Sequence, residues 1–227
     1  MREFTGRGTP GLMPVSDPDP RLLARMAELA AQAMPADADP AHDFLHVRRV
    51  AALARGIAEA EGADVLVAVG AALLHELVNL PKDHPDSRRS GDLCAEAAAG
   101  LLRAEAIDPA RAAQICACIR DHGFSKGVLP ESLAARVLQD ADRLDAIGAI
   151  GVARCFATCN AMRTPFYSER DPLCREREPD DKRFGLDHFF KKLLRIPGGL
   201  HTASARRLAE PRVALMRAYL EQFEREL

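Results

Sequence analysis

Residues Val65–Leu74, VLVAVGAALL, form a run with no polar side to turn toward water. A membrane span needs about 20 such residues, roughly twice what is present. A segment that is apolar all round and this short reads instead as a helix buried on every face. Its pattern extends from Ala63 to about Val78, and the rest of the chain must wrap around it.

The wrapping segments are helical in period, and none shows the two-residue alternation of a strand. A first helix is expected over Pro20–Ala33. A second is expected from an Asp39 cap with Pro40 at its first position to a stop at Gly62. Ser90 caps a fourth, Asp108-Pro109 opens a fifth that ends near His122-Gly123, and Pro130 opens a long segment that breaks near Gly148. Two helices, about 184–195 and 202–226, close the chain. At 227 residues the chain suffices for one sizeable core. The expectation is a single-domain, all-α multi-helix bundle over 20–227, preceded by a loose Gly-, Pro- and Asp-rich tail at 1–19. Residues 163–183 form a charged loop long enough to serve as a lid. The long C-terminal helix offers a face for packing on a second copy as a homodimer.

Charge and composition exclude several roles. Thirty-one Lys and Arg against 33 Asp and Glu leave a net charge of −2, against a nucleic-acid coat or a polybasic membrane anchor. Trp is absent and aromatics make up 5%, too few for a single-strand stacking platform. The first fifteen residues contain no apolar stretch of signal-peptide length. Six cysteines without CxxC spacing point to reduced thiols in the cytoplasm.

Chemistry concentrates in histidines and acids. His42, Asp43 and His46 lie close together near the start of the second helix; His75-Glu76 ends the apolar run; Asp140, Asp142 and Asp145 share the sixth segment. Single ligands projected inward from several helices are how bundles build metal sites. Imidazole with carboxylate suits a divalent ion such as Mn, Mg, Fe, Ni, Co or Zn. A zinc-protease helix needs a second His at position 79, and Asn79 stands there. A two-metal oxygenase needs ligands beyond the one extra histidine, His42.

Three fragments, HDFLHVRRV at 42–50, LLHE at 73–76 and DADRLDAIGAIGVAR at 140–154, occur in the order H…HD…D. The chain resembles the HD-domain metal-dependent phosphohydrolase superfamily over about 40–155, in its small single-domain bacterial branch. The resemblance implies His46, His75 and Asp142 as ligands of a divalent metal. It also implies hydrolysis, by a metal-activated water, of a nucleotide or related phosphorylated metabolite. One position departs: Glu76 replaces the Asp of the His-Asp pair, one methylene longer. That carboxylate joins the ion, reaches it through water, or leaves it. In the last case the chain becomes a catalytically impaired nucleotide-binding or regulatory module. Glu76 and His122 are the candidate catalytic groups beside the ion. Lys82, His84, Arg88 and Arg89 follow the pair as candidate phosphate binders. Asp43 and Asp140 are candidates to support the ligands from behind, Asp43 through the second ring nitrogen of His46.

Overall fold

The computed structural model describes residues 19–34, 42–78, 80, 85–86, 89–123 and 127–227. The tail expected over 1–19 lies, but for Asp19, outside them, as do Asp39, Pro40, Lys82, His84 and Arg88. Among the described residues there are nine α-helices, one 3-10 helix and no strand.

Helix α3, Val65–Leu74, is buried at all ten positions. Asp64 caps it by accepting the Val67 N–H at 3.0 Å. It packs against α1 (Pro20–Ala33), α2 (Phe44–Glu61), α5 (Pro109–Asp121) and α6 (Leu133–Asp145). Burying a side chain the size of Leu or Val contributes about 1.5–3 kcal/mol, so this short helix holds the bundle together. It ends earlier than its apolar pattern implies. His75 is its C-cap, and Glu76 lies in the following turn. The Cys94 thiol donates to the carbonyls of Leu74 and His75 at 3.2 and 3.1 Å. A side chain from α4 (Ser90–Ala104) thus satisfies carbonyls at the helix end.

Other boundaries move for similar local reasons. Helix α2 begins at Phe44 with Asp43 as its cap, four residues after the expected start, and ends at Gly62, whose φ of 72° suits glycine. Ser90 is the first helical residue of α4 and does not cap it. Ser132, accepting from the Ala135 N–H, opens α6 two residues after Pro130. The break at Gly148 is real: its φ of 84° separates α6 from α7 (Ala149–Met162).

Beyond the 163–183 loop the chain forms α8 (Asp187–Lys191), the 3-10 helix Leu193–Gly199 and α9 (Ala203–Arg225). Residues of the loop are pinned against α7, α8 and α9. Arg177 forks onto the buried Asp187, Arg175 pairs with Glu224, and Tyr167 and Phe166 pack on Phe223 and Phe156.

Candidate metal centre

Three elements deliver four side chains to one point. His46 comes from the first turn of α2, His75 and Glu76 from the turn that ends α3, and Asp142 from α6. His46 and His75 are almost wholly buried. Their Nε2 atoms stand 3.3 Å apart. Asp142 Oδ1 lies 3.6 Å from His46 Nε2, while Glu76 Oε1 lies 3.7 Å from His46 Nε2 and 3.8 Å from His75 Nε2. Because α3 stops before Glu76, a turn directs neighbouring side chains 75 and 76 to the same place.

The outer ring nitrogens fix the tautomers. His46 Nδ1–H donates to Asp145 Oδ2 at 2.7 Å, and His75 Nδ1–H donates to the Ala72 carbonyl at 2.7 Å. Each ring thereby turns its Nε2 toward the other, and a ring with Nδ1–H as its one proton keeps that Nε2 lone pair bare. Burial drives the pKa of His75 down to about 4, against the opposing pull of Glu76, so that ring is neutral at pH 7. Two buried lone pairs 3.3 Å apart, with two carboxylates beside them, repel one another unless a cation lies between. This donor set fits a divalent metal. Burial pushes the Asp142 carboxyl upward, but the surrounding imidazoles and Arg154 outweigh it and keep it below its ordinary range.

His42 sits just before α2, and its Nδ1–H donates to Glu76 Oε1 at 3.0 Å. Burial is the strongest single influence and opposes its charge, yet the bond to Glu76 and that carboxylate's charge together outweigh it and raise its pKa. Glu76 is held below the ordinary carboxylate value despite burial, with the His42 bond the first counterweight. The triads His42–His46–Glu76 and His46–His75–Asp142 each converge within 4.8 Å. They share His46, whose single free Nε2 serves one ion.

Behind His46 lies a network that the spacing of the acids only hinted at. Asp145, almost wholly buried, accepts from His46, from Arg49 Nε and Nη2 at 2.7 and 3.0 Å, and from Arg154 Nη1 at 2.9 Å. These contacts hold its carboxyl far below the ordinary range although burial works against them. Asp145 follows Asp142 by three residues and Arg49 follows His46 by three, so each pair shares a helix face. Nothing local marks Arg154, which arrives from α7.

Two candidate supporting acids act elsewhere. Asp43 accepts from the backbone N–H of His46 at 2.8 Å as the α2 cap; the ring nitrogen expected for it is taken by Asp145. Asp140 is wholly buried and accepts from His201 N, Thr202 N and Thr202 Oγ1 at 2.7–2.9 Å. It anchors the start of α9 instead of supporting a ligand. The His122 ring lies 5.2 Å from that of His75, edge to face, with Nδ1–H on the Ile119 carbonyl. Arg89 is exposed and lies 3.8 Å from Asp86.

Comparison with known proteins agrees with this geometry. A family model described as HD domain matches residues 43–147. The YpgQ protein of Bacillus subtilis (strain 168) is 34% identical over 200 residues, covering 86% of this chain and 89% of its own. The crystal structure of YpgQ in complex with ADP has a TM-score of 0.70 at 31% identity, covering 90% of this chain and 97% of that one. A crystal structure of an HD-superfamily hydrolase from Bacillus thuringiensis has a TM-score of 0.69 at 28% identity, covering 91% and 96%.

Proposed function

Because this chain belongs to the HD-domain superfamily of hydrolases, we propose that it is a metal-dependent phosphohydrolase acting on a nucleotide or a related phosphorylated metabolite. The observation that carries the reading is the pair of bare Nε2 lone pairs 3.3 Å apart, flanked by the Asp142 and Glu76 carboxylates. That arrangement is costly without a cation and useful with one. The ADP complex of YpgQ supports the nucleotide class.

His46, His75 and Asp142 would hold the ion, with Glu76 beside them. A divalent ion there supplies Lewis-acid activation of water and positive charge for a phosphate oxygen. Asp145 keeps His46 in the tautomer that presents Nε2, and the Ala72 carbonyl does the same for His75. Glu76, steadied by His42, accepts a hydrogen bond from the attacking water. As the new P–O bond forms and the old one breaks, the proton that the water gives up passes to the leaving oxygen, with His122 Nε2, bare while its Nδ1–H is held by the Ile119 carbonyl, as the relay.

The alternative of a catalytically impaired binding module rested on Glu76 failing to reach the centre. Its Oε1 lies within 3.8 Å of both imidazole nitrogens, which favours the enzyme. No helix among the described residues is long and apolar enough to cross a membrane. All six cysteines are free thiols, which supports a reducing compartment such as the cytoplasm.

The test is phosphate or pyrophosphate release from a panel of phosphate esters and nucleoside phosphates with Mn, Mg, Ni or Co. Turnover above a His75→Ala control is the expected result. Its absence with every metal and substrate would contradict the reading.

A further inference from the structure

Helix α9 presses one side, Ala205, Ala209, Met216 and Leu220, into the bundle. On the opposite side stand Pro211, Ala214 and Ala218, all exposed. Their alternating three- and four-residue spacing is that of a coiled-coil seam. Two edges flank the seam. Leu208 and Leu215, both exposed, run along one, and Glu210 and Arg217 run along the other. A single exposed leucine is ordinary; two in register beside a strip of Pro and Ala make a continuous apolar band. No ion pair or side-chain hydrogen bond among the described residues engages Glu210, Arg217 or Glu221.

This face is complementary to itself. A two-fold axis perpendicular to α9 sets a second copy antiparallel and brings each edge against the same edge of its counterpart. With the axis between residues 212 and 213, Pro211 lies across from Ala214 of the second copy. On one edge Leu208 then meets Leu215 of the second copy. On the other, Glu210 meets Arg217 of the second copy. Each of these edge pairs is offset by about 3 Å along the axis, at about 1.5 Å of rise per residue. Arg207, four residues before Pro211 on the seam line, reaches toward Glu221 of the second copy. The symmetry makes every pair twice. A parallel arrangement would instead set the leucine edge against the charged edge, so the pattern selects the antiparallel sense. Pro and Ala lose no rotamer freedom on burial, and their small size lets two axes approach to about 8 Å, the close end of helix packing.

We propose that the outer face of α9 is the interface of a homodimer, formed by two antiparallel copies of this helix. From Arg207 to Glu221 the seam spans about 21 Å. A single helix pair of that length buries less than about 1,200 Å², the size of transient contacts. The dimer therefore exchanges with monomer as concentration changes.

The test is sedimentation equilibrium of the full chain over a broad concentration range. A monomer–dimer equilibrium is expected. Arg217→Glu sets like charges along one edge and weakens association at least tenfold. Glu210→Arg/Arg217→Glu exchanges the two charges and restores the unmodified constant to within threefold. Leu215→Glu, at the other edge, also weakens association at least tenfold, while Glu96→Arg, on the exposed side of α4, leaves it within twofold. All four substitutions change exposed side chains, and circular dichroism confirms that each variant is folded. A dimer that Arg217→Glu or Leu215→Glu leaves unchanged would overturn the proposal, as would a double variant no stronger than the single one. A chain that stays monomeric at every concentration would overturn it too, and would leave this face to an unlike partner.

Discussion

The carboxylate oxygen of Glu76 that faces the paired imidazoles is the one that accepts from His42 Nδ1 at 3.0 Å. The extra methylene of Glu, relative to the Asp of the family pattern, is therefore matched by a histidine that sets its reach. Truncation to Glu76→Asp shortens the arm and breaks the His42 bond. About tenfold lower kcat/KM is expected, with weaker metal binding; His42→Ala lowers metal affinity by about 10-fold, the lower end of the effect of losing a ligand-orienting partner. Metal titration and steady-state kinetics of both variants check this, and a rise in activity in Glu76→Asp would contradict it.

Asp145 ties His46 to two arginines. Asp145→Asn keeps the shape but removes the charge that Arg49, Arg154 and the His46 ring share. Metal affinity should fall about 10–100-fold. Stability should fall by about 2 kcal/mol, as expected when hydrogen bonds to a charged buried group are weakened. Chemical denaturation with parallel metal titration separates the two effects; an Asn variant that binds metal normally would show that the tautomer of His46 is set elsewhere.

Acid should destabilise the metal-free protein in a defined window. Folded His75 has its pKa lowered from 6.5 to about 4 by burial. Above pH 6.5 the ring is neutral in both states, and its contribution to stability is complete. As pH falls from 6.5 toward 4, the unfolded chain takes up a proton that the folded chain refuses. Stability is lost by as much as about 3 kcal/mol. Asp145, also lowered, extends the loss in the same direction at lower pH. Urea midpoints between pH 7.5 and 4.5 check this; in His75→Ala the slope between pH 6.5 and 4.5 should flatten.

How much was visible before the fold depended on whether the information is local. The bundle, its central apolar helix and the break at Gly148 follow from period and caps. His46, His75 and Asp142 stand out because three fragments occur in order on helices. The end of α3 was hidden because Leu77 and Val78 continue the apolar pattern, while Cys94, nineteen positions after His75, satisfies the carbonyls that close it. Arg154 reaches Asp145 across the Gly148 break, and Asp140 serves residues more than sixty positions away. No spacing rule encodes such pairings.

The most direct test of the metal centre is calorimetric titration of metal-stripped protein with Mn or Co, for the unmodified chain and for His75→Ala. One ion per chain is predicted, with affinity at least 100-fold weaker in the variant. Two ions per chain, or an affinity that His75→Ala leaves unchanged, would contradict the account.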